Sequence, residues 1–124
     1  MEAITLDTGA LIALERRRHR MLGILRVARQ ARVTLVVPGV SVAEWWRGRT
    51  DLREEILAAV HIEHTDDELM RLAGEAQATV RGATCIDAIV MASAARRGGV
   101  VFTSDVEDLA ALNRVFPGVR VLGV

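Results

Sequence analysis

Short apolar runs alternate along the chain with stretches in which apolar residues recur every three or four positions. Residues 3–6, Ala-Ile-Thr-Leu, read as a strand, and a helix is expected from 8 to about 18. Met21, Leu22, Leu25 and Ala28 then recur at helical spacing, with Arg26 and Arg29 on the other side. Residues 33–37 are short and β-branched and predict a second strand. A helix is expected to start at Ser41 and run to Arg47. Residues 52–59 read as another helix and 60–64 as a weak strand. Leu69, Leu72, Ala73, Ala76 and Val80 mark the apolar face of an amphipathic helix. Residues 86–97 are nearly all apolar in the middle and predict a buried helix, ended by Gly98-Gly99. A strand at 100–103, a helix from 105 to about 115 and a strand at 119–122 complete the pattern. Pro38 and Pro117-Gly118 mark boundaries. Apolar strands alternating with helices predict an α/β fold, a parallel β-sheet flanked by helices on both faces. The 124 residues amount to a single domain, 1–124. In such sheets ligands bind beyond the carboxyl ends of the strands.

Composition narrows the chemistry. The chain is 51% hydrophobic and 26% charged, which is globular. Sixteen basic residues, all arginine, balance sixteen acids, so a nucleic-acid partner must be held by a local basic patch and not by bulk charge. The missing lysine excludes a Walker A phosphate loop and Schiff-base chemistry, and argues against a phosphate-accepting receiver domain. The single cysteine excludes an internal disulfide, and Cys85 beside Ile86 is expected to be a small buried hydrophobe. Met1-Glu2 does not open a basic segment followed by a long apolar one, as a secretory signal does. The apolar run at 88–95 falls far short of the ~20 residues that span a bilayer. The expectation is a cytoplasmic protein with no membrane contact.

Four of the acids stand in apolar company. Asp7 directly ends the strand Ala-Ile-Thr-Leu. Glu44 lies in Val-Ala-Glu-Trp-Trp, Asp87 in Cys-Ile-Asp-Ala-Ile-Val, and Asp105 follows Val-Val-Phe-Thr-Ser. A carboxylate pressed against apolar surroundings loses solvation, at a cost of several kcal/mol if nothing compensates. Asp7 and Asp105 are expected just past strand ends, and Glu44 and Asp87 in the first turns of helices, so the four can crowd into one crevice. Four acids in one crevice repel each other, and the usual solution is a divalent cation with hard oxygen ligands, Mg²⁺ or Mn²⁺. Taken singly, each has a structural alternative. Ser41-x-x-Glu44, Thr84-x-x-Asp87, Ser104-x-x-Glu107 and the plainly polar Thr65-x-x-Glu68 fit capping boxes or close variants. A binding module whose acids are helix caps therefore stays open. A phosphatase using Asp7 as nucleophile is disfavoured, because Gly9 stands where its second Asp is expected and lysine is absent.

The ordered set of segments resembles PIN-domain nucleases and, within them, the VapC-type toxins of toxin–antitoxin modules. The matching segments are Ile4-Thr5-Leu6-Asp7-Thr8, Val37-Pro38 through Ala43-Glu44-Trp45-Trp46-Arg47-Gly48, Ile86-Asp87 through Ala94, and Val101-Phe102-Thr103-Ser104-Asp105 through Asp108-Leu109. The resemblance implies four catalytic acids, Asp7, Glu44, Asp87 and Asp105. It implies Asp7, Asp87 and Asp105 as ligands of Mg²⁺ (or Mn²⁺), one ion or two roughly 4 Å apart. Thr8, Thr103 and Asp108 stand beside them as supporting positions. It further implies an RNA substrate, a cognate antitoxin protein, a homodimer, and hydrolysis of phosphodiester bonds. A PIN-like nuclease acting in RNA processing or on DNA, without an antitoxin, is the alternative on the same scaffold.

Arg16-Arg17-Arg18-His19-Arg20 is the densest basic run. It reads either as a solvated helix end or as a contact for the RNA backbone through Arg16, Arg17, Arg18 and Arg20. Arg47, three residues after Glu44, is expected to pair with it. His61 and His64, offset by three on a strand, fall on opposite faces, which argues against a metal pair. Trp45 and Trp46 are expected in interior or dimer packing.

Overall fold

A computed structural model describes residues 3–97 and 99–124, so the expectations at Met1-Glu2 and Gly98 lie outside the described residues. Five strands form one sheet: β1 (Ala3–Leu6), β2 (Thr34–Pro38), β3 (His61–Glu63), β4 (Val100–Thr103) and β5 (Arg120–Gly123). Their order is β3-β2-β1-β4-β5, and every neighbouring pair is parallel. The helices between them are α1 (Thr8–Glu15), α2 (His19–Ala31), α3 (Gly39–Trp45), α4 (Asp51–Ala58), α5 (Asp67–Thr79), α6 (Cys85–Arg96) and α7 (Val106–Ala110).

The sheet has a core on each face, as its alternating side chains require. Leu6, Leu35, Val37 and Phe102 pack with Ala10, Leu11, Leu14, Met21 and Trp45 under α1 to α4. Val101 packs on the opposite face with Leu69, Ala73, Val90, Met91 and Leu109 under α5 to α7. Residues Ala88 to Ala94 of α6 are all buried, which accounts for its unbroken apolar middle. From β1 the chain moves outward through β2 to β3, then returns to place β4 on the other side of β1. The β1/β4 boundary is thus the switch point at which an open α/β sheet forms a crevice.

Several boundaries differ from expectation for identifiable reasons. The first helix stops at Glu15 because Arg17 adopts a left-handed conformation, φ 54°, and the chain turns. The third helix starts at Gly39, immediately after Pro38, so Ser41 lies inside it and caps nothing; its hydroxyl is buried without a partner among the described residues. Glu44 consequently sits in the last turn of α3, not the first. Thr84 does cap α6, accepting from Asp87 N–H at 3.1 Å. Ser104 and Thr65 do not serve as caps: Thr103 Oγ1 accepts from Asp105 N–H at 2.9 Å, and Asp66 accepts from Leu69 N–H at 2.8 Å. The expected helix from 105 breaks after Ala110 into a 3₁₀ turn, Ala111–Arg114. Cys85 is exposed in the first turn of α6, not buried. No helix among the described residues is long and apolar enough to cross a membrane.

The short edge strand β3 is locked to α6 by side chains. Ser93 Oγ donates to Glu63 at 2.6 Å, Arg97 pairs with the same carboxylate, and Arg97 also donates to the Ser93 carbonyl at 2.8 Å. Glu63→Ala leaves the buried Ser93 and the half-buried Arg97 without this partner. The expected loss is ~2–3 kcal/mol, in the range of hydrogen bonds to charged groups. A urea midpoint lower than that of wild type, with Glu63→Gln in between, is the outcome to look for.

Candidate active site

Asp7 ends β1 and begins α1 at the same time. Its N–H still donates to the Phe102 carbonyl across the sheet, while its carboxylate accepts from Ala10 N–H at 3.0 Å and caps the helix. Pairing Leu6 with Phe102 fixes the ends of β1 and β4 level with each other. Asp105, two residues past β4, therefore lies at the same end of the sheet as Asp7. Asp87 enters from the first turn of α6, whose N-terminus faces the same end of the sheet. Glu44 comes from the last turn of α3 and accepts from the Thr8 hydroxyl at 2.5 Å, which ties α3 to the start of α1.

The electrostatics link these side chains. Asp7 is 9% exposed, and burial raises its pKa above the ordinary 3.8. Hydrogen bonds from Thr103 and from the Ala10 and Gly9 N–H groups oppose that rise, and the nearby Asp87 charge adds to it. Asp87 is also raised, first by burial, then by the charges of Asp105 and Glu44, with the bond to Thr84 opposing. Asp87 is thus the hub: its charge is felt at Asp7, and it feels Asp105 and Glu44. Asp108 is exposed, and its pKa is raised by a hydrogen bond with Asp105 and by that residue's charge. The structure brings Asp7, Asp87, Asp105, Glu44 and Asp108 to one end of the sheet, with Thr8 and Thr103 bonded to two of them. Asp7 is the fixed member, while Glu44, Asp105 and Asp108 are exposed.

The donors are carboxylate and hydroxyl oxygens, which suit a hard divalent cation. Burial and the Asp87 charge disfavour the ionised form of Asp7, and a cation there would compensate that cost. Among the described residues no three His, Cys, Asp or Glu side chains are grouped at metal-ligand spacing. His61 and His64 are both exposed. Arg47 is not paired with Glu44, since its guanidinium donates to the Trp46 carbonyl at 2.8 Å. Trp45 is interior and donates to Glu15 at 2.9 Å.

Two contributors escaped the sequence reading. Gly9 packs so tightly on the β4–α7 loop that a Cβ there would lie 2.0 Å from Ser104 Oγ and 3.0 Å from Ser104 N. A glycine inside the first turn of a short helix costs about 1 kcal/mol relative to alanine, and that anomaly was the available signal. Glu15 was the other. It holds both Trp45 and Arg53 (2.9 Å each), which braces α1 against α3 and α4.

Known structures share this architecture. The chain superposes on DNA-bound VapBC from Salmonella typhimurium with a TM-score of 0.75 at 14% identity, covering 99% of this chain and 98% of that one. VapBC-5 from Mycobacterium tuberculosis, a member of a family of toxin–antitoxin systems, superposes with a TM-score of 0.61 at 24% identity over 100% of both chains. A comparison with curated proteins finds no match. The profile of the PIN domain family matches residues 4–114, nine-tenths of the chain and all of the acids above, and the chain belongs to that family of nucleases.

Proposed function

We propose that this chain is a Mg²⁺-dependent endoribonuclease, the toxin of a toxin–antitoxin pair, acting on RNA in the cytoplasm. The observation that carries the reading is the buried Asp7 carboxylate at the β1/β4 switch point, within electrostatic reach of Asp87, which in turn lies within reach of the Asp105 and Glu44 charges. Helix capping alone leaves this unexplained, because a cap needs no second carboxylate opposite it. Membership of a nuclease family supports the chemistry, and the toxin–antitoxin complexes among similar structures support the partner. The homodimer is part of the same proposal and comes from the family resemblance.

Asp7, Asp87 and Asp105 would hold the ion. When bound, a divalent ion supplies charge neutralisation at the scissile phosphate and a more acidic water. The chain's own groups do the rest. Thr103 and the Gly9 and Ala10 N–H groups fix the Asp7 carboxylate. Glu44, oriented by the Thr8 hydroxyl, accepts a proton from the attacking water. The water oxygen bonds to phosphorus as the bond to the 3′ oxygen breaks. That oxygen takes up a proton, so the products carry a 5′-phosphate and a 3′-hydroxyl.

The purified chain should cut single-stranded RNA in Mg²⁺ and leave DNA intact. Asp7→Asn should lower the cleavage rate at least ~100-fold, more than loss of a supporting group alone gives. Undiminished cleavage by this variant, or cleavage of DNA alone, contradicts the proposal.

The same substitution should stabilise the metal-free protein. Asp7 binds its proton more tightly in the folded chain than in the unfolded one, whose ordinary value is 3.8. Its contribution to stability therefore falls as pH rises from about that value through the raised folded one. Asparagine keeps the cap on Ala10 N–H and removes the charge. In chelator the melting temperature of Asp7→Asn should match wild type near pH 4 and exceed it at pH 7. Each ~1 kcal/mol would appear as roughly 3–5 °C for a chain of this size.

Gly9→Ala tests the joint between the acids. The added Cβ must displace Ser104 and with it Asp105. Cleavage should fall ~10- to 100-fold, because misplacing a reacting group by about 1 Å costs that much. A two-state urea transition should persist at a lowered midpoint, and wild-type activity would show that the close approach is incidental.

A further inference from the structure

Residues 16–43 contain seven arginines and no acid, in a chain whose formal charge is zero. Arg16, Arg17 and Arg18 occupy the corner between α1 and α2, with Arg20 in the first turn of α2; Arg17 is left-handed there and Arg18 N–H donates back to the Ala13 carbonyl at 2.9 Å. That turn sorts the side chains. Arg16, Arg18 and Arg20 line one cavity of about 550 Å³, whose lining also includes Gly9 and Ser104. Arg17 lines a different pocket, with Leu14, Leu22 and Leu52.

The shared lining residues belong to the acidic site as well. Gly9 lies between Asp7 and Ala10, whose N–H donates to the Asp7 carboxylate, and Ser104 immediately precedes Asp105. A second cavity, of about 430 Å³, contains Glu44 and Arg47, and Arg16 lines both cavities. Arg16 is therefore the junction between the basic corner and the trough that holds Glu44. Among the described residues neither Arg16 nor Arg18 forms a salt bridge. Arg20 is steadied by donation from Nε to the Gly123 carbonyl at 2.8 Å.

Resting on the nuclease reading, we propose that Arg16, Arg18 and Arg20 form a phosphodiester track that leads the RNA strand to the carboxylates, with Arg17 outside it. Guanidinium forks match phosphate oxygens in geometry and charge. The track also offsets the field of the acids, which by themselves repel a polyanion.

The test is the salt dependence of binding to a single-stranded RNA oligonucleotide, read by fluorescence anisotropy in chelator so that the strand stays intact. Each phosphate neutralised contributes about 0.7 to the slope of log K against log salt. The Arg16→Gln/Arg18→Gln double variant should therefore lose ~1.4 from the slope. Arg17→Gln should keep the wild-type slope, and Arg16→Lys/Arg18→Lys should restore most of it. An unchanged slope in the glutamine pair overturns the track and leaves these arginines to an acidic protein partner. An equal loss in Arg17→Gln overturns it as well, since the effect is then diffuse charge and not a site. Cleavage in Mg²⁺ is measured separately, so binding without cleavage would count against the nuclease reading and not against the track.

Discussion

A buried carboxylate, Asp7, held at the end of the sheet where the half-buried Asp87 adds its charge, is the constraint on which the rest of the structure turns. Parallel pairing of β1 with β4 forces two strand ends level, and each strand is followed by an aspartate. The buried helix α6 points its first turn, and Asp87, at the same place. Burial raises both Asp7 and Asp87, and neighbouring charges add to it, Asp87 at Asp7 and Asp105 and Glu44 at Asp87. A fold that concentrates charge in this way carries a stability penalty, and hydrogen bonds from Thr103, Gly9, Ala10 and Thr84 offset part of it. The remainder is available to a cation, and it is the physical basis for the proposed nuclease chemistry.

Much of this was legible in the chain. Strand periodicity and the strand-helix alternation carried the parallel sheet with helices on both faces. The acids stood out because their neighbours were apolar, and that signal survives folding at Asp7, which is buried, and at Asp87, which is half-buried, but not at Glu44 and Asp105, which are exposed. Local readings failed where tertiary placement decides. Ser41-x-x-Glu44 has the spacing of a cap, but Pro38 lets the helix start two residues earlier and moves Ser41 inside. Cys85 sits in an apolar sequence, yet the first turn of α6 leaves it exposed. Arg47 was expected on Glu44 because it is near in sequence, while Thr8, 36 positions away, is the actual partner.

The basic corner illustrates the same limit. Five consecutive polar residues cannot share one face of a helix, so from sequence the run reads either as a solvated end or as an RNA contact made by Arg16, Arg17, Arg18 and Arg20 without distinction. The left-handed Arg17 breaks the helix, and residues 16, 18 and 20 then line one cavity. No periodicity rule anticipates that sorting, because it depends on a single backbone conformation. Net neutrality thus conceals two poles, arginine-rich α2 with its preceding corner and the carboxylate end of the sheet, which meet at Arg16. A polyanion drawn along the first pole would be delivered to the second.

Diffraction from crystals soaked in Mn²⁺, recorded at a wavelength where manganese scatters anomalously, tests the core of this account most directly. An anomalous peak within about 2.5 Å of carboxylate oxygens from Asp7 and at least one of Asp87 and Asp105 is the predicted result. A crystal saturated with Mn²⁺ that shows no peak at Asp7, or peaks only on acids elsewhere on the surface, would contradict it.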